Sequence, residues 1–400
     1  MIEMIAFERA RSLVLGSVHP LADERVEVTD AGGRVLAEPT TVLVDLPSAR
    51  ISSRDGFALR AKEAGPQRKL KIQGSALAGS PYPEPLASGA AVRVTTGAVV
   101  PEGADAVVPD EEVSRDGEEI RVPGPLAAKS FIREPGEELK TGQPLFAAGT
   151  VIDPPILSLL VAAGHGEVKV TRQPRTRVLA IGDELRPPGR PLLPGQTYPS
   201  VAWAIAAALR QLGMAEVRVD LCADEEDAIL ECLPEPLAAD LIVTLGGTGR
   251  GDRDVVIPAL ENRGCRFEFR GIKMRPGHFT AFGLLREVPV LCLPGGPSAA
   301  EAGLYQFLRP VLLKMLGWPR LELPSTRAKL AESVSSPKGQ YHLIRGRLER
   351  KEREEWFHPL HETSVHQELR RSHGYLAVAE EVEHLGAGSE VEIELIREPW

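Results

Sequence analysis

The chain has 400 residues, 43% of them hydrophobic, and a formal net charge of −9. That length exceeds one ordinary domain, so two to four are expected, each with enough apolar residues for a core. The negative balance leaves no basic face for a nucleic acid, no run of eighteen apolar residues offers a membrane span, and acidic Glu3 and Glu8 are unlike a signal peptide, so the expected location is cytoplasmic.

The first periodic segment, residues 5–18, has Phe7, Leu13 and Val14 on one side of a helix. Residues 25–36 read as a strand, a loop and a further short element. From Pro47 the character changes to short β-like runs at 70–73, 91–94, 106–109 and 119–122, separated by Gly and Pro turns. Residues 142–170 are mixed, with a helix expected at 155–163. The β module at 46–139 therefore reads as an insertion into an elongated, mixed N-terminal domain made of residues 1–45 and 140–174.

Residues 175–320 have α/β character. Apolar runs at 177–181, 241–245 and 288–293 break at Gly182-Asp183-Glu184, at Gly246-Gly247 and at Pro294-Gly295-Gly296-Pro297. Runs of this kind, alternating with helices, indicate a doubly wound domain with a mostly parallel sheet buried on both faces. Ser200 is expected to cap a helix over 201–212 that Gly213 stops, and Asp224 to cap one over 225–233. Asp252 or Asp254 is expected to open a helix through Leu260, and Ser298 a long one ending before Gly317. Residues 321–400 read as a small C-terminal β domain, with strands at 341–348, 354–358, 375–379 and 390–396. The fold class is thus α/β multidomain. Cys222, Cys232, Cys265 and Cys292 show no C-x-x-C spacing and are expected to be reduced and structural.

In such sheets ligands bind beyond the carboxyl ends of the strands. Here those ends carry glycines, which let a ligand approach the backbone, and carboxylates, which offer hard oxygens to a divalent cation. The pattern points to a phosphorylated ligand held with a divalent metal. Glu184, Asp224 and Asp254 follow strands and are placed to converge on one sheet edge; helix capping is the alternative role. The Gly246–Gly251 loop can offer successive N–H groups to a phosphate, or be a plain turn.

Several motifs, in order along nearly the whole chain, carry a family resemblance. They are Ser52-Ser53-Arg54-Asp55-Gly56-Phe57-Ala58; the run from Thr96-Gly97 through Pro101, Gly103 and Asp105 to Val108; and Ile132-Arg133 with Gly136-Glu137-Glu138-Leu139. They continue with Gly182-Asp183-Glu184-Leu185, followed by Gly189, Pro191 and Gly195-Gln196; Gly246-Gly247 with Gly251 and Asp254; Arg275-Pro276-Gly277-His278; and Leu293-Pro294-Gly295-Gly296-Pro297. Together they resemble the molybdopterin molybdotransferase family, of the MoeA and gephyrin C-terminal-domain type. This chain departs from the family pattern at Gly249, Arg275, His278 and Gly296, at Pro199-Ser200-Val201, and at Ser372-His373-Gly374.

The resemblance implies a magnesium-dependent enzyme that takes adenylylated molybdopterin and molybdate and releases AMP, with molybdenum left on the pterin dithiolene. It implies catalytic roles for Asp55, Glu138, Glu184 and Asp254, with Glu184, Asp224 and Asp254 holding Mg2+. It places substrate at Thr96, Gly182, Asp183, Gly246, Gly247, Arg275, Gly277, His278, Pro294, Gly295 and Arg345. It further implies a homodimer in which Asp55, Thr96 and Glu138 of one subunit complete the site of the other, and contact with the molybdopterin adenylyltransferase. Arg275 binds oxyanions at any pH, whereas His278 does so only when protonated; a solvated turn is the alternative. For Arg345 the alternative is a surface salt bridge. His358, His361 and His366 lack zinc-site spacing. Two other functions stay open: a paralogue acting on tungstate, and a pterin-binding or scaffolding protein without ligation.

Overall fold

The structure, a computed structural model, describes residues 4–249, 255–361 and 364–397. Its central sheet has six strands. From edge to edge they are Val217–Cys222, Thr176–Ile181, Leu241–Leu245, Val288–Leu293, Ala281–Leu285 and Cys265–Phe269. The first three pairings are parallel and the last two antiparallel. Val178 and Ala180 join a core with the helix Ser200–Gln211, while Leu179 and Ile181 join a second core with the helices Glu226–Glu231 and Val256–Asn262. A strand buried on both faces has no polar alternation, which is why 178–181 reads as one apolar run. After Thr176–Ile181 the chain first adds the neighbour on one side, Val217–Cys222, and then the neighbour on the other, Leu241–Leu245. The order reverses there, and a crevice opens beyond the carboxyl ends.

The helix starts correct three expectations. Ser200 is the first residue of its helix, with Pro199 in the cap position and no side-chain cap. The helix after Asp224 begins at Glu226, again without a side-chain cap. The helix at Pro297–Gly303 follows Gly296 rather than Ser298, and it continues through a wider π turn, Leu304–Leu308, into Arg309–Met315. Gly213 does end its helix, at φ +88°.

The helix Phe7–Gly16 buries Phe7, Ala10 and Val14 in the first central core, with Phe7 stacked on Tyr341 at 3.9 Å. Asp23–Glu27 pairs with Glu167–Thr171 beside a small core that includes Val28, Leu36, Ile152 and Leu160. The helix Pro154–Ala162 is capped by Asp153, whose carboxylate accepts the Ile156 N–H at 2.9 Å. Residues 56–121 supply a sheet in the order Ala106–Pro109, Gly56–Leu59, Ala90–Val94, Lys69–Ala76, Glu119–Arg121, Ser114–Asp116. Toward the C-terminus, Tyr341–Lys351, Glu354–Pro359, Ser325–Leu330, Glu390–Leu395 and Gly374–Val378 pair in turn, and the last returns to the first, closing a five-stranded barrel. Met274–Arg275, from the central region, adds to that barrel in parallel with Tyr341–Lys351. Among the described residues no helix is long and apolar enough to cross a membrane.

Candidate functional site

The crevice at the order reversal is a cleft of about 450 Å³. Its floor is the backbone of Gly182, Gly246, Gly247 and Gly295. Gly246 donates its N–H to the Leu293 carbonyl (3.1 Å), which ties two strand ends together. It sits at φ +94°, and a Cβ there would stand 2.7 Å from the Ile181 carbonyl oxygen. No other residue type fits such a position without moving the strands apart.

Two carboxylates line the same cleft. The Glu184 carboxylate folds back over Gly182, so close that a Cβ on Gly182 would stand 2.5 and 2.6 Å from its two oxygens. Thr197 N–H donates to the Glu184 carbonyl (2.9 Å), returning the chain along the rim before the helix at Ser200. Asp224 does something other than the expected cap. Its Oδ2 accepts the Asp183 N–H (3.2 Å), and its own N–H donates to Asp183 Oδ1 (3.1 Å). This reciprocal pair joins the loops after two adjacent strands.

Among the described residues, no group of three His, Cys, Asp or Glu side chains is arranged to hold a metal ion. Glu184 and Asp224 still present hard oxygens to one space. That donor set fits magnesium, which takes one or two carboxylates and leaves its other positions to water and phosphate. Asp254, expected beside them, lies outside the described residues, as do Arg250, Gly251 and Asp252. The opposite wall is the start of the helix Ser200–Gln211, with Ser200 and Val201 at the cleft. Because no described side chain caps that helix, its first N–H groups favour an anion there. Thr197, Tyr198 and His366 also line the cleft and were not singled out from the sequence as ligand residues. The first two follow Gly195-Gln196 directly, a signal that was present; His366 comes from the distant helix Val365–Arg371 and gave none.

The other expected residues lie elsewhere. Arg275 and His278 are both exposed and are not part of the cleft lining. Arg275 pairs in register with His342, and Gly277 lies against the Ala299 carbonyl, near the start of the helix Pro297–Gly303. Burial, and then the Arg275 guanidinium, hold the His342 imidazole below its ordinary pKa. Pro294 is half-buried beside Gly295. Arg345 is in a buried ion pair, not a surface one. Its Nη2 donates to Glu301 Oε2 (2.7 Å), its Nη1 lies 3.4 Å from Glu368 Oε2, and Tyr375 Oη donates to the same Glu301 oxygen at 2.5 Å. Burial pushes the Tyr375 phenol well up, so it stays a donor. His358 pairs with Glu349 and His361 with Glu332, each at 3.1 Å.

Asp55 and Thr96 meet in the β module. Asp55 Oδ1 accepts the Thr96 N–H at 2.6 Å and its hydroxyl at 3.0 Å, and these bonds hold the Asp55 carboxyl below its usual pKa. Glu138 is paired with Arg133, whose strand Ile132–Arg133 lies beside Ile51–Ser52. No residue before Ala180 lines the cleft within the described part of the chain.

Comparison with known proteins agrees with this architecture. Residues 5–164 match the MoeA N-terminal region (domain I and II), 177–314 a probable molybdopterin binding domain, and 327–396 the MoeA C-terminal region (domain IV). The chain is 33% identical to a molybdopterin molybdenumtransferase of Synechococcus elongatus, covering 98% of this chain and 99% of that one. It is 33% identical to that of Haemophilus influenzae, over 80% of each. The crystal structure of a molybdopterin biosynthesis MoeA protein from Pyrococcus horikosii superposes over the full length of both chains, with a TM-score of 0.84 at 28% identity. The chain belongs to the MoeA family of molybdopterin molybdenumtransferases.

Proposed function

We propose that this chain inserts molybdate into adenylylated molybdopterin with release of AMP, in molybdenum cofactor biosynthesis. The observation that carries the reading is the glycine-floored cleft at the order reversal of the sheet, with the Glu184 and Asp224 carboxylates on its rim. The bare backbone of Gly182, Gly246, Gly247 and Gly295 leaves room for a pyrophosphate, and the uncapped helix start at Ser200 favours its charge. Glu184 and Asp224, with Asp254, would hold Mg2+, which when bound neutralises charge on the phosphate oxygens. Asp183 fixes Asp224 through their paired hydrogen bonds. Arg275 and His278, on an exposed turn against the helix that starts at Pro297, would take the oxyanion. The buried pairing of Arg345 with Glu301 and Glu368 supports a positioning role, because it holds the helix that bears His366. The relatives' transferase names weigh against the tungstate and non-catalytic alternatives.

The same proposal makes the protein a cytoplasmic homodimer that receives its substrate from the molybdopterin adenylyltransferase. Asp55, Thr96 and Glu138 support the dimer: Asp55 is bonded to Thr96, Glu138 is paired with Arg133, none of them lines the cleft of its own chain, and a second copy would bring them to one. The test is incubation of the purified protein with adenylylated molybdopterin, Mg2+ and molybdate, following AMP. Molybdate-dependent AMP release is expected. Glu184→Ala and Asp254→Ala should abolish it while leaving the melting temperature nearly unchanged. Near-normal turnover in either variant would remove that residue from the site, and no AMP from the parent chain would defeat the proposal.

A further inference from the structure

Cys222 ends the strand Val217–Cys222, and Cys232 directly follows the helix Glu226–Glu231. Both are free thiols, and Cys222 Sγ donates to Cys232 Sγ at 2.8 Å. A disulfide bond is about 2.05 Å long, so the two sulfurs need to close by only roughly 0.8 Å. The short helix between them brings together cysteines ten positions apart. Between them lies Asp224, on the rim of the cleft. The loop is also tied to the next strand, since the Cys222 carbonyl accepts the Gly182 N–H at 3.1 Å.

We propose that Cys222 and Cys232 are a redox-convertible pair, oxidised by a peroxide to a disulfide that locks the loop carrying Asp224. Cys232 is partly exposed and Cys222 buried, so Cys232 meets the oxidant. Its sulfur attacks one peroxide oxygen and the O–O bond breaks. Cys232 becomes a sulfenic acid, and its proton leaves with the other oxygen as water. The Cys222 sulfur then attacks the Cys232 sulfur and the S–O bond breaks. The Cys222 proton departs with the hydroxyl as a second water. Two thiols are oxidised and one peroxide is reduced. Cys265 and Cys292 are buried as well and serve as internal controls.

The test uses the full native chain and does not depend on the reaction proposed above. Treat it with hydrogen peroxide, alkylate under native and then denaturing conditions, digest, and map the cysteines by mass. The expected product is a Cys222–Cys232 cross-link lighter by two hydrogens, reversed by dithiothreitol. The closed loop should raise the melting temperature by about 5 °C and slow hydrogen exchange over residues 223–231. Cys232→Ser should show neither change. Three outcomes would overturn the proposal: Cys222 and Cys232 both alkylated after peroxide, Cys232 carried to sulfinic acid without cross-linking, or an equal melting shift in Cys232→Ser. The peptide map of the parent chain decides the matter even if the variant folds poorly.

Discussion

Glu184 sits where it does because Gly182 has no side chain. In Gly182→Ala the new Cβ would stand 2.5 Å from Glu184 Oε2 and 2.6 Å from Oε1. Carbon and oxygen rest near 3.4 Å or beyond, so the carboxylate must retreat by roughly 1 Å. The obstacle is the free end of an exposed, flexible side chain, which can move aside, but alanine is itself strained at φ +159°. With that strain the cost to the fold is about 2 kcal/mol, a melting shift of roughly 4–8 °C. The cost to the reaction is larger. Misplacing a working group by about 1 Å lowers the rate by on the order of 10²-fold, near 2.7 kcal/mol in activation free energy. The assay is kcat/KM for AMP release, with the melting temperature measured on the same preparation. Glu184→Gln keeps the shape and removes the charge, and it should lose at least as much activity. Near-parental kcat/KM in Gly182→Ala would mean that the reaction does not use the carboxylate where the structure has it. A stability loss of several kcal/mol would mean that the backbone moved, and the reasoning would fail on that side.

Asp240 accepts two hydrogen bonds from Arg172 and three from Arg175, which hold its carboxyl well below the usual range against the opposing effect of burial. Because the folded pKa is depressed, this stabilisation is present above the unfolded value, about 3.9, and is lost as pH falls through the folded one. Asp240→Asn should cost about 3 kcal/mol in urea unfolding at neutral pH, and the gap from the parent should shrink as the pH drops below about 4; a constant gap would refute the electrostatic account. Arg275→Ala and His278→Ala should each weaken equilibrium binding of molybdate, the arginine more because its fork can bind an oxyanion through two hydrogen bonds. Unchanged binding in both variants would place the anion elsewhere. Sedimentation at micromolar concentration should give a dimer, and a stable monomer would take Asp55, Thr96 and Glu138 out of the proposed site.

What the sequence reveals depends on how local each cause is. The strands Thr176–Ile181, Leu241–Leu245 and Val288–Leu293 are legible because double-sided burial writes itself into consecutive residues. Gly56–Leu59 and Ser114–Asp116 are not, since one is four residues opening on glycine and the other is wholly exposed. The capping expectation at Ser200 fails because the helix starts one residue early, whereas those at Asp224 and Ser298 fail for a shared reason. A cap contributes about 1 kcal/mol, which a tertiary partner readily outweighs. Asp224 bonds a loop 41 residues away, and Ser298 accepts from Arg345, 47 residues away. The same distinction divides the candidate site. Glu184 and Gly246 stand within three residues of strand ends, so the register of the sheet carries them to the cleft and the sequence could point to them. His366 reaches the cleft, and Arg345 the Glu301 carboxylate, only because the C-terminal domain docks on the helix that starts at Pro297. Docking between domains leaves no period and no spacing in either segment, so those contacts had to come from the structure.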